Sequence, residues 1–169
     1  MRGDLHTLRR ICEYGSKTMV VGEFVLIACL LASIALTVCS TFSENASVFL
    51  SDFLSARKCS PEMWIRAAEL IAILMLAVAT VNTIRAFMTS VSYEHSPFTG
   101  RNTDRFILLS KIFLFGAVVL GFLEVFSGRG WYMILFMFFG CILVSVVVYC
   151  LGLMIRYGNV LQDEYDHTL

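Results

Sequence analysis

The sequence predicts an all-α, polytopic membrane protein with four transmembrane helices in an antiparallel bundle. The first observation is four apolar runs, at residues 18–42, 64–88, 106–126 and 131–155. Each run reaches the roughly 20 residues that a helix needs to span the hydrocarbon of a bilayer. The second observation is that only 15% of the residues are charged, whereas soluble domains carry about 25%. No connecting segment is long enough to separate two units, so we expect a single domain over residues 1–169.

The distribution of Lys and Arg predicts that both termini lie in the cytoplasm. Of the thirteen Lys and Arg residues, nine fall on the side of the membrane that holds the termini and four on the other side. Positive charges near helix ends favour the cytoplasmic side, and acidic residues have little weight in this rule. Trp64, Trp131 and Tyr132 stand where runs meet the opposite surface, a depth that amphipathic rings prefer.

The segment before the first run, residues 1–17, carries apolar side chains at helical spacing among basic ones. Leu5, Leu8 and Ile11 show this spacing. The pattern is typical of a short helix that lies on the inner membrane surface. A plain basic anchor is the alternative.

Residues 43–63, between the first two runs, predict a short interfacial helix and then the start of the second span. The apolar side chains that share one helical face there are Phe49, Leu50, Phe53 and Leu54. Ser60 suits a helix N-cap and Pro61 the first helical position, so the second helix should begin at this pair.

The remaining connections predict the third and fourth helices. Pro97 biases the residue before it away from helix and so indicates a boundary. Thr99 suits the N-cap of the third helix, and the Asn102 side chain can bond back to it. Only Ser127 to Gly130 joins the third run to the fourth, and so short a turn makes the two helices antiparallel neighbours.

Ionisable residues inside the apolar runs are candidates for function, because a charge in hydrocarbon is costly. Glu23 and Lys111 each lie five residues into a run from the side of the termini. At about 1.5 Å of rise per residue both sit roughly 7 Å deep, so they are able to pair. Snorkelling of each side chain to the interface is the alternative.

A second polar group is predicted in the half of the membrane away from the termini. Glu69 lies five residues into the second run, and Thr80 shares its helical face approximately. The first run contributes a stripe of hydroxyl residues, Ser33, Thr37 and Ser40. These residues can form a cluster that serves either structural hydrogen bonding, which we favour, or transport. Glu124 is expected to meet headgroup water, and Arg66 or Arg129 is a candidate to neutralise either glutamate.

Two short motifs carry a resemblance to a known family. They are Pro97-Phe98-Thr99-x-x-Asn102-x-x-Arg105 in the loop and Gly158-x-x-Leu161-Gln162-x-x-x-Asp166-x-Thr168 in the tail. With the four-run layout they resemble a bacterial family of small membrane proteins catalogued as domain of unknown function 2975. Gly100 and Arg101 stand where acidic residues are expected. The resemblance implies a bacterial cell membrane and a helix-turn-helix regulator as partner, and it supplies no established reaction.

The residues indicate a protein that acts through a partner rather than an enzyme. The sequence contains no Gly-rich phosphate loop, nucleophile elbow or zincin motif, and its net charge is zero. We therefore expect no catalytic residue, cofactor, metal or direct nucleic-acid contact. Membrane lipid is an expected partner, and a homo-oligomer is a further option.

We expect a sensor, regulator-associated or immunity-type membrane protein whose cytoplasmic loop and tail contact the partner. The candidate contact residues are Pro97, Phe98, Thr99, Asn102, Arg105, Gly158, Asp166 and Thr168. Arg101 and Arg105 are the predicted dock for the acidic tail. The alternatives are a small oligomeric transporter or channel that uses Glu69, and a lipid-modifying membrane enzyme.

Overall fold

The structure, a computed structural model, describes residues 2–57, 60–94, 98–128 and 130–168. Within the helices it describes the side chains of all residues except 2–9, 93, 94, 163 and 165–168. This part of the chain forms five α-helices and no strand: α1 Arg2–Phe42, α2 Glu44–Phe53, α3 Pro61–Glu94, α4 Gly100–Ser127 and α5 Trp131–Thr168. All except α2 are long and apolar enough to cross a membrane. The predicted fold class is confirmed, and the chain fits an integral membrane protein with several spans.

The four long helices stand side by side in an open row. α1 contacts α3, α3 contacts α4, and α4 contacts α5, while α2 contacts α1; among the described residues every other helix pair touches marginally at most. In the most apolar window of α4 39% of the residues are buried, against none in α1. α4 is therefore the most buried of the four long helices, and most of the apolar surface of α1 and α5 is left for lipid.

Contacts at two levels show that α1 and α3 are antiparallel. The Ser16 and Thr89 hydroxyls are hydrogen-bonded at 3.0 Å, whereas Glu23, seven residues later on α1, pairs at 2.9 Å with Arg85, four residues earlier on α3. Beside the first of these contacts, a Cβ on Gly15 would lie 2.9 Å from Sδ of Met88. The missing side chain lets the two helices approach closely at this point.

α4 lies antiparallel to both α3 and α5. The rings of Phe87 and Phe106 meet edge to face across α3 and α4, with centroids 5.5 Å apart. On the α5 side, the Ser145 hydroxyl donates to the Ser110 carbonyl at 2.7 Å. Gly128 ends α4 in the left-handed conformation, with φ of 72°, which suits a residue without Cβ. The turn predicted between the third and fourth runs thus places α4 and α5 as neighbours.

Three of the helices are much longer than a bilayer is thick. α1 has 41 residues, α3 has 34 and α5 has 38, which at about 1.5 Å per residue is roughly 50–60 Å, against about 30 Å of hydrocarbon. The excess lies at the end of the row that holds both termini and the α3–α4 loop, here named the terminal face. The expectation of a separate surface helix before the first run is wrong, because α1 is continuous from Arg2.

The opposite end, here named the α2 face, carries the predicted short helix. α2 buries Ser47, Leu50 and Ser51 against the protein, whereas Phe49 and Phe53 remain exposed. Arg66 of α3 holds the end of α2, since its guanidinium donates to the carbonyls of Leu54 and Ser55 at 2.8 and 2.7 Å. The α3 start at Pro61 was predicted correctly, and the Met63 amide donates to the Ser60 hydroxyl at 3.3 Å.

Candidate functional site

The loop and the tail that the sequence singled out meet at the terminal face. The Phe98 ring lies directly on Gly158 of α5, so close that a Cβ on residue 158 would overlap it. Phe98 precedes α4, while Gly158 lies beyond the fourth apolar run. This contact joins the α3–α4 loop to the extension of α5, and it needs glycine at 158 because any side chain would displace the ring.

The residue after Phe98 caps helix α4. Thr99 has an extended backbone, and its side chain accepts a bond from the Asn102 amide at 3.4 Å. This confirms Thr99 as the N-cap. The Asn102 side chain does not complete a capping box with Thr99; its Nδ2 donates to the Ser90 hydroxyl at 3.1 Å. This bond links α4 to α3, and it is buried, since Asn102 is 1% exposed.

Part of the predicted contact surface lies outside the described residues. Pro97 is one such position, and the side chains of Asp166 and Thr168 are others. Arg101 is exposed and Arg105 is half-buried. The described link between loop and tail is therefore the aromatic contact of Phe98 with Gly158, and the predicted docking of acidic tail side chains on the two arginines remains a prediction.

Glu23 pairs with a different partner from the one predicted. Its Oε2 lies 2.9 Å from Nε of Arg85 in α3, with 15% of the Glu23 side chain and 37% of the Arg85 side chain exposed. The expected pair with Lys111 is wrong, because α1 packs on α3 and Lys111 is exposed on α4. Asn82 accepts a long bond of 3.4 Å from the same arginine. The result is a polar link between α1 and α3 near the terminal face.

Two buried glutamates lie at one level near the α2 face. Leu76 of α3 contacts Gly116 of α4, where a Cβ would lie 3.0 Å from Cδ1 of the leucine. From that contact Glu69 lies seven residues back along α3 and Glu124 eight residues on along α4. Because the helices are antiparallel, both steps lead about two turns towards the α2 face on facing sides. Glu69 is 2% exposed and Glu124 1% exposed.

The burial of Glu124 corrects the expectation that this residue meets headgroup water. The sequence did contain a signal, since Glu124 follows Ala117, Leu120 and Gly121 at helical spacing. Those three residues are buried where α4 meets its neighbours. Small residues on one helix face indicate close helix contact in lipid, and a carboxylate on the same face shares that burial.

An apolar cleft of about 450 Å³ begins one turn inside the two glutamates. It lies between α3, α4 and α5 and is here named the three-helix cleft. Ile73 and Leu120, each four residues from one glutamate, line its near end, and Thr80 and Cys141 line it further in. Thr80 thus lies in this cleft, while the predicted polar cluster of Glu69 with Thr80 remains a prediction.

The predicted hydroxyl stripe of α1 donates its hydrogen bonds within α1. Ser33, Thr37 and Ser40 donate to the carbonyls of Cys29, Ser33 and Thr37 of their own helix, at 2.8, 2.7 and 2.7 Å. Glu69 continues the α3 face that contacts α4, whereas α1 packs on another face of α3. The Thr80 hydroxyl likewise donates to the Leu76 carbonyl, at 2.7 Å.

Two arginines, Arg66 and Arg129, were predicted to neutralise Glu69 or Glu124. Arg66 is engaged at the α2 face, since it pairs with Glu62 one turn earlier and also bonds the α2 carbonyls. Arg129 lies outside the described residues. Among the described residues no three His, Cys, Asp or Glu are grouped to hold a metal ion.

Comparison with known proteins finds no family model, curated protein or solved structure that matches the chain.

Proposed function

We propose that this chain is a bacterial cell-membrane protein that acts by binding a partner protein at its terminal face. The observation that carries the proposal is the contact of Phe98 with Gly158. It makes one continuous surface from two segments that are far apart in the sequence. Such a surface suits a sensor, a regulator-associated protein or an immunity-type protein. Each of these acts by contacting another protein rather than by catalysing a reaction.

The shape of the terminal face supports the proposal. α1, α3 and α5 all extend there well beyond the length that a bilayer requires. Most of the Lys and Arg residues belong to this end, which favours its placement in the cytoplasm. A helix-turn-helix regulator, the partner that the family resemblance implies, remains a prediction that the same experiment tests.

The test is photo-crosslinking of the full chain in its membrane. A photoreactive residue at the exposed position Arg101 should capture one partner, which mass spectrometry then identifies. The Gly158→Ala change should reduce that crosslink several-fold, because the new Cβ displaces Phe98. Gly140→Ala is the matched control in the same helix, since nothing lies within 4 Å of a Cβ there. Equal crosslinking in both variants, or the same capture from a probe at Phe49 on the α2 face, would reject the proposal.

A second candidate, a small transporter or channel, is supported by the two buried glutamates at the end of the three-helix cleft. Carboxylates placed in a membrane interior often mark ion or proton pathways. Glu69→Gln should then abolish a pH- or cation-driven flux in proteoliposomes. Glu13→Gln, at an exposed position of α1, should leave it unchanged. A flux that survives Glu69→Gln would exclude this candidate.

A further inference from the structure

The face of the α3–α4 pair opposite α5 carries an apolar groove. α3 and α4 leave a space of about 420 Å³ there. Small side chains make the space, since Ala72 and Ala79 of α3 and Gly116 of α4 fill little of it. Met75 and Phe115 line its rim and are 59% and 70% exposed. The groove is therefore open to lipid along the middle of the membrane.

The groove continues into a polar end towards the terminal face. A further space of about 180 Å³ shares Ile112 with the apolar part and is lined by Asn82, Thr83 and Arg105. The apolar and polar parts together are here named the two-helix groove. No hydrogen-bond or ion-pair partner of Arg105 is found among the residues that the structure describes. The groove thus changes from apolar to cationic along its length.

The donors at the polar end can be assigned. The Thr83 hydroxyl donates to the Ala79 carbonyl at 2.9 Å, so its proton is already used. The Asn82 side-chain oxygen accepts from Arg85, which leaves its amide group as a donor. The guanidinium of Arg105 and the amide of Asn82 are therefore the groups that face an incoming anion. Arg101 adds a second positive charge one turn earlier on the same α4 face.

The length of the groove matches one lipid molecule. From Arg105 to Val119 α4 has fourteen residues of rise, which is about 21 Å at 1.5 Å per residue. Half of a membrane that is 40–45 Å thick with its headgroups is about 20–22 Å. A headgroup at Arg105 would therefore send its acyl chain along Ile112 to the middle of the bilayer. Basic pockets between membrane helices are known to hold anionic headgroups.

We propose that the two-helix groove binds one anionic phospholipid from the leaflet at the terminal face. Its phosphate lies against Arg105 and Asn82, and one acyl chain fills the apolar part between α3 and α4. Charge complementarity and the matching length commit the site to this occupant. The site shares Arg105 with the predicted contact residues of the terminal face, but its apolar part lies on the side of the row and contains none of them.

The test uses the purified full chain in a mild detergent and native mass spectrometry with added phosphatidylglycerol or phosphatidylcholine. The chain should retain phosphatidylglycerol preferentially. Arg105→Gln should weaken its apparent affinity about tenfold, the equivalent of about 1.4 kcal/mol. Lys111→Gln is the matched control, because Lys111 is an exposed cation of α4 that does not line the groove. Both variants should keep the helical circular dichroism of the wild type.

A second variant tests the apolar part without touching the charge. Ala79→Phe should fill the groove and weaken lipid retention, whereas Ala35→Phe on the exposed side of α1 should not. Equal retention of the two lipids, or full retention in either groove variant, would overturn the proposal. Displacement of the lipid by inorganic phosphate alone would show a phosphate site instead. If the lipid-free chain is a dimer and Ala79→Phe converts it to a monomer, a second copy of the chain occupies the groove instead.

Discussion

Glu23 and Arg85 join α1 to α3 through an ion pair that the protein partly shields. The two groups lie 2.9 Å apart and are 15% and 37% exposed at the side chain. A second ion pair on α1, between Glu13 and Lys17, has the similar distance of 3.0 Å but side chains that are 55% and 70% exposed. Water screens the exposed pair, so its contribution to stability should be much the smaller.

This difference gives a residue-scale prediction. Glu23→Gln leaves Arg85 without its counter-charge and should lower the free energy of unfolding by about 1–3 kcal/mol, between the values of exposed and buried pairs. Glu13→Gln should cost less than about 1 kcal/mol. Unfolding by a denaturing detergent measures both. The exchange of Glu23→Arg with Arg85→Glu should restore most of the loss; no recovery would show that Glu23 acts by packing rather than by charge.

At the scale of the helices, apolar runs and caps were predictable from the sequence, whereas helix length and lateral partners were not. Ser60 and Thr99 act locally, and the N-caps predicted there are present. Hydropathy predicts which residues lie in lipid, but it does not predict where a helix ends once it has left the membrane. The predicted fourth span therefore stops at residue 155, while α5 runs to Thr168.

The candidate sites depended on partners that spacing within one helix does not specify. Glu23 was selected as an ionisable residue within the first run that could form a pair, but its counter-charge is Arg85 of α3 because α1 has α3 as its neighbour. The loop and tail were selected together, and the contact between them proved to be the Phe98 ring on Gly158. A glycine supplies no charge or periodicity by which such a contact is found. Only the packed structure shows that a Cβ would not fit there.

The whole molecule is a row with two different ends. The terminal face has long helical extensions and most of the positive charge, and the α2 face has a short helix and exposed aromatic residues. This asymmetry fits one orientation in a membrane, since positive charges are retained on the cytoplasmic side.

Reporter fusions test that orientation. A fluorescent protein fused after residue 169 should fluoresce, because it folds in the cytoplasm. Alkaline phosphatase inserted at Arg57, beyond α2, should be active, because it requires the outer compartment. The opposite pair of results would place the terminal face outside and would remove the basis for a cytoplasmic partner.

The order of the row has a consequence for biosynthesis. Each spanning helix contacts the spanning helix that precedes it in the chain: α3 contacts α1, α4 contacts α3, and α5 contacts α4. As the ribosome delivers the chain from its N-terminus, every new span meets a partner that is already in the bilayer. Contacts between sequence neighbours also form fastest. The molecule can thus be assembled by successive addition, with no span held unpartnered until the last one has been made.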